Sequence, residues 1–248
     1  MSRSAHYRQV LRGLVDWEPY LLAESGLPGP RGNIELAQAV ADEGDEACFL
    51  RLLAFDADRA PANTPQEFLA FCGAVGLGRL LAEGQRDLLP LLRRHANDPR
   101  WRMREGVAMA LQRWGAADMP GLLAEMELWG RGSYLEQRAA AAALCEPALL
   151  RDPAVVARVL ALLEAITAGV EGATERRSEA FQALRKGLAY CWSVAVAALP
   201  ETGLPLMERW CASPDRDVRW IMRQNLGKQR LIRAAPDWVA VWRAMLNE

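Results

Sequence analysis

The chain has 248 residues, a formal net charge of -1 and 51% hydrophobic residues, which is enough to bury a substantial core without a membrane or a disulfide scaffold. The near-neutral balance excludes a generally basic nucleic-acid-binding protein and leaves any anion site to local clustering of arginine and lysine. Five dispersed cysteines, Cys48, Cys72, Cys145, Cys191 and Cys211, include no Cys-x-x-Cys pair, so neither a zinc site nor a disulfide framework is expected.

The opening MSRSAHYRQV lacks the apolar core of a signal peptide, and the longest uncharged run, residues 187–200, is too short to span a bilayer. These features predict a soluble cytoplasmic protein with no membrane partner. Alanine and leucine dominate, and strand-like alternation of β-branched residues is nearly absent. The expectation is an all-α chain.

Two short helices are expected within residues 4–24, broken near Pro19, followed by a Gly- and Pro-rich loop at 26–33. Asn33 and Asp45 have the side chains of N-caps for helices near 34–42 and 46–55. Thr64-Pro65-Gln66-Glu67 has the pattern of a capping box opening a helix toward Leu81. Gly73, Gly76 and Gly78 weaken that helix, but no strand precedes them and no Lys-Ser/Thr follows, so a phosphate loop is not expected. From residue 86 onward, helices are predicted near 87–96, 99–114, 119–129, 134–145, 153–168, 175–198, 204–211, 214–231 and 236–246. Ser133 with Glu136 forms a second candidate capping box, and Asp118 and Asp152 are candidate caps.

Repetition is visible in this half. Arg100-Trp101-Arg102-Met103-Arg104 recurs as Arg219-Trp220-Ile221-Met222-Arg223. A second register instead aligns Asp98-Pro99 with Ser213-Pro214, each followed by an arginine, Arg104 or Arg219, at the same offset; Asp152-Pro153 with Arg158 fits it too. Sequence leaves the choice open. Helical hairpins with Pro near a helix start, then Val or Met beside Arg, then small residues ending in Leu, resemble the HEAT repeat. The expected architecture is therefore a right-handed α-solenoid of stacked antiparallel helix hairpins. Residues 1–85 would form N-terminal hairpins continuous with it, and residues 86–248 the HEAT-like repeats with a C-terminal capping helix.

Candidate chemistry is sparse. His6 and His95 belong to no metal-ligand or base-nucleophile spacing, and no G-x-S-x-G or H-E-x-x-H occurs, so neither cofactor nor metal is expected. Trp114, Trp129, Trp210, Trp238 and Trp242 read as core fillers, while Trp101, Trp192 and Trp220 lie in or near arginine-rich or unusual segments. Ser213 and Pro214 signal a helix start, and a helix running on through Gly227 would put Arg216, Arg219, Arg223 and Arg230 on one side and Val218, Ile221, Met222 and Leu226 on another. That stripe, with Lys228 beside it and Arg100 and Arg104 on a second turn of the same surface, suits either ion pairing with Asp215, Asp217 or Asp237 or bidentate contact with phosphates.

The segment DVRWIMRQNLGKQRL, residues 217–231, with the repeat pattern across 87–231, resembles the HEAT-like-repeat DNA alkylation-repair proteins, bacterial glycosylases that remove alkylated purines from DNA held in a basic groove. The resemblance implies DNA as the partner, with Arg100, Arg104, Arg216, Arg219, Arg223, Lys228 and Arg230 as backbone contacts. Of the tryptophan, aspartate and arginine that line the family's site, Trp192 and Arg223 match the first and last as candidate catalytic residues. The aspartate position holds Val196, and no acid lies between Glu179 and Glu201. The resemblance thus implies DNA binding more than base excision, and a protein-protein scaffold is the alternative use of such a surface.

Overall fold

The computed structural model describes residues 2–247, and over these the chain is all-helical, with fifteen α-helices, one 3-10 turn and no strand. It divides into two compact units, Met1–Asp118 and Met119–Glu248. Residues 85 and 86, between which the sequence divides the N-terminal hairpins from the HEAT-like repeats, both lie in the first unit.

The first unit contains α1 (Arg3–Gly13), α2 (Glu18–Ala23), α3 (Ile34–Glu43), α4 (Glu46–Leu53), α5 (Pro65–Ala82), the 3-10 turn Arg86–Leu88, α6 (Leu89–Ala96) and α7 (Trp101–Ala117). The chain breaks at 14–17 and not at Pro19, which lies in the first turn of α2, where a missing N–H costs nothing. Asn33 and Asp45 cap α3 and α4 as expected, accepting from the N–H groups of Leu36 at 3.1 Å and Cys48 at 2.8 Å. The capping box at Thr64 does not form. Its hydroxyl donates to the Pro61 carbonyl at 2.7 Å, and Glu67 turns inward to accept from the Asn63 N–H at 2.7 Å and pair with Arg102 at 3.3 Å.

Helix α5 is the centre of this unit, with α2, α3, α4 and α7 packed on it. Its glycines permit that crowding: a Cβ on Gly76 would stand 2.3 Å from the Phe49 ring, and one on Gly78 would stand 2.5 Å from Cα of Ala110 in α7. Residues that weaken the helix locally are what let its neighbours reach it. On α7, Met103, Val107, Ala110, Leu111 and Trp114 are all buried, the expected core stripe. Alternate helices make a row in which α1 meets α3, α3 meets α5 and α5 meets α7.

The second unit contains α8 (Met119–Trp129), α9 (Tyr134–Leu144), α10 (Pro153–Glu171), α11 (Glu179–Ala198), α12 (Pro200–Cys211), α13 (Arg216–Leu226), α14 (Gln229–Ala234) and α15 (Pro236–Asn247). The Ser133 capping box is complete, and Asp152 accepts from the Ala154 N–H at 2.9 Å. Helix α11 starts later than the expected residue 175, because Ser178 caps it by accepting from Phe181. Helix α12 starts earlier, at Pro200, and carries Pro205 within it. Here too alternate helices form a row, α9 on α11, α11 on α13 and α13 on α15, while α10 and α12 also pack on α11. By length and composition α10 is apolar enough to cross a membrane; Val159, Leu160, Leu163, Ile166 and Val170 are buried within the unit.

Trp114, Trp129, Trp210 and Trp242 are buried, and Trp238 is half-buried. All five cysteines are free thiols.

Candidate nucleic-acid interface

Helix α13 starts two residues later than Ser213 and Pro214 suggest. Asp215 is the cap, accepting from the N–H groups of Asp217 at 2.9 Å and Val218 at 3.1 Å. Ser213 instead braces the entry, accepting from the Asp215 N–H at 3.1 Å and donating to Glu171 at 2.6 Å. In the first unit Asp98 makes the same i+2 contact with the Arg100 N–H at 2.8 Å, and α7 begins at Trp101 as α13 begins at Arg216. Helix starts therefore choose the register that equates Arg104 with Arg219. The Asp152 segment is different, since α10 begins directly at Pro153.

Val218, Ile221, Met222 and Leu226 are buried on α13, and Asn225 joins them. Its amide donates to the carbonyls of Leu188 at 2.9 Å and Ile221 at 2.8 Å, and its oxygen accepts from the Ser193 N–H at 2.8 Å, locking α13 onto α11. A buried amide so fully used carries no desolvation deficit. Nothing in the local pattern distinguishes this asparagine from a surface one.

On another side of the helix, Arg216 and Arg223 are exposed and Arg219 is half-exposed. Gly227 ends the helix, so Arg230 lies on α14 and not on the stripe. Two of the three acids that might have neutralised the stripe, Asp215 and Asp217, are engaged elsewhere. Arg176 holds Asp215 at 2.7 Å and Asp217 at 2.7 Å, and Arg185 reaches Asp217 at 3.0 Å while stacking 3.9 Å from the Trp220 ring. Arg216 comes only within 3.7 Å of Asp217, and Arg223 donates to the Leu246 carbonyl at 2.6 Å. Among the described residues Arg219 makes no ion pair or side-chain hydrogen bond.

Lys228 and Arg230 gather beside Tyr190 on α11. The Arg230 guanidinium lies 4.7 Å from the ring centroid and also donates to its hydroxyl, and the Lys228 ammonium lies 5.8 Å from the same ring. With Arg233, four residues from Gln229 on the same short helix, these side chains line a cavity of about 600 Å³.

The other expected residues are placed differently. Arg100, expected at a phosphate-binding surface, is buried: it pairs with Asp98 at 2.8 Å and donates to the carbonyls of Phe55, Asp56 and Ala60. Arg104 reaches back to the carbonyls of Asp98 at 2.6 Å and Pro99 at 2.8 Å. Both belong to the first unit, whereas the α13 arginines belong to the second. Trp192 has no exposed surface and donates its indole N–H to Thr167 at 3.0 Å. Trp192 thus lies within the core while Arg223 is exposed, and Val196 is buried as well. Among the described residues no cluster of histidine, cysteine, aspartate and glutamate has the makings of a metal site.

No protein-family model matches the chain, and no curated protein matches it.

Proposed function

We propose that this protein is a HEAT-like α-solenoid that binds DNA by its phosphate backbone, with the exposed side of α13 as the central contact and without base-excision chemistry of its own. The carrying observation is the surplus of positive charge on α13. Asp215 and Asp217 are matched by Arg176 and Arg185, which leaves Arg216, Arg219 and Arg223, among the described residues, with a single long ion pair between them, Arg216 to Asp217 at 3.7 Å. Guanidinium groups in a row suit successive phosphates, since each presents a planar fork to two oxygens.

The solenoid reading is supported by the packing rows. In both units each odd-numbered helix meets the next odd-numbered one, with the intervening helices against the row, which is the contact order of stacked hairpins. The reading treats the protein as soluble, with α10 as a core helix. The buried Trp192 and the Val196 position argue against a glycosylase, because neither a ring nor a carboxylate is offered to a departing base.

Fluorescence anisotropy of a labelled duplex at low salt tests the proposal. Binding is expected, weakened by Arg219→Ala and Arg223→Ala. An absence of binding, or affinity indifferent to both substitutions, would leave a protein partner as the occupant of this surface.

A further inference from the structure

The cavity beside Tyr190 has a chemistry that a duplex backbone does not explain. One wall is apolar, formed by Pro147, Leu150, Val194 and Ala197. The other is basic, formed by Lys228, Arg230 and Arg233, and among the described residues no acidic residue lines the cavity. Tyr190 stands between them with 42% of its surface exposed. Its ring faces two cations, and its hydroxyl, already accepting from Arg230, keeps its own proton free to donate.

Three cations drawn together without an acid repel one another, and the electron-rich face of one tyrosine offsets only part of that cost. A bound anion would remove the remainder. The space of about 600 Å³ falls in the usual range of small-molecule sites, roughly 300–1,000 Å³. A bare anion would leave the apolar wall uncovered, and a neutral apolar molecule would leave the cations unmatched. A monoester phosphate carries a charge of about -1.5 to -2 at pH 7, against -1 for each diester of a nucleic-acid backbone, and so suits this concentration of positive charge better.

We propose that this cavity binds a phosphate monoester carried on a flat or apolar body, of the size of a nucleoside monophosphate, with the phosphate on Lys228, Arg230 and Arg233 and the body against Tyr190 and the more exposed side of the apolar wall, at Pro147 and Ala197. The site is separate from the α13 face, so its occupancy does not depend on duplex binding.

Isothermal titration with adenosine 5′-monophosphate, adenosine and inorganic phosphate tests it. A 5′-phosphorylated single strand is included to separate a free ligand from a strand end. The monophosphate is expected to bind saturably and at least about tenfold more tightly than either fragment, because each fragment forfeits one wall. Arg230→Gln should weaken it about tenfold or more, the value of a hydrogen bond to a charged group. Binding should also weaken at pH 5, where the monoester loses its second charge, since its second pKa is about 6. Arg219→Ala should leave it unchanged, which separates this site from the duplex-binding face. Tyr190→Leu should also weaken it; should that variant fail to fold, the half-exposed Arg230 carries the test alone. A monophosphate no tighter than inorganic phosphate, or one indifferent to Arg230→Gln in a protein with an unchanged melt, would overturn the proposal.

Discussion

Asp217 receives Arg176 and Arg185 at 2.7 and 3.0 Å, and Asp215 is gripped by Arg176 as well as by the first backbone N–H groups of α13. Burial pushes the Asp215 carboxyl up, but the Arg176 hydrogen bond and the N–H groups of Val218 and Asp217 together outweigh it, so it sits below the ordinary carboxylate range. A carboxyl held low in the folded state stabilises the fold above its unfolded pKa of about 3.9, and that contribution disappears as pH falls through the folded value. Arg176→Ala is therefore expected to cost roughly 1–3 kcal/mol at pH 7. In urea melts the gap from wild type should close below about pH 4. A gap that persists unchanged into acid would show that Arg176 acts through packing and not through its charge. Arg100, Arg102 and Arg104 illustrate why such roles escape sequence reading. Three arginines in five residues serve a loop of carbonyls, a buried glutamate and the preceding turn respectively. The side chain is long enough to find partners more than thirty residues away, as the Arg102 to Glu67 contact does, and local spacing does not encode them.

At the scale of elements, caps and core stripes carry most of the information. Asn33, Asp45, Ser133 and Asp152 cap as their residue types dictate, because the cap is a contact between neighbours in sequence. Thr64 fails because Glu67, its intended partner, is needed by Arg102 in the core. Leu111 is fully buried on α7, and Leu111→Ala should lower stability by about 2–5 kcal/mol in a denaturant melt, as truncation of a buried leucine does. Gly78 gives a sharper test, since two effects oppose. Alanine gains about 1 kcal/mol of helix propensity over glycine. Its Cβ would lie 2.5 Å from the Ala110 backbone, however, and overpacking of this kind costs roughly 1–3 kcal/mol. Gly78→Ala is expected to be net destabilising; a variant more stable than wild type would mean that α5 and α7 separate easily. The glycines that sequence propensity counts against α5 are thus explained only by what packs on it.

For the whole molecule, a net charge of -1 supplies no general attraction for a polyanion, so affinity must come from a local face. If Arg216, Arg219 and Arg223 each meet one phosphate, the log-log salt slope of duplex binding should be about -2.7, and each arginine removed should reduce its magnitude by about 0.9. Anisotropy titrations over a series of salt concentrations measure this directly. A slope near zero would place the contact among neutral groups and remove the arginines from the interface.

The sequence by itself determined the all-helical class, most of the helices, the buried stripe of α7 and the apolar side of α13, because periodicity and capping are properties of residues close together in the chain. It also marked 213–233 as unusual, but as one continuous basic stripe. Tertiary structure decided the rest. Gly227 ends the helix and transfers Arg230 to the Tyr190 cavity, Arg176 and Arg185 take Asp215 and Asp217, two acids with which the stripe could have paired, Asn225 becomes a core lock, and Trp192 and Arg100 are withdrawn from solvent. Each of these outcomes depends on a partner in another helix or loop, and a charge or ring has no fixed role until that partner is packed beside it.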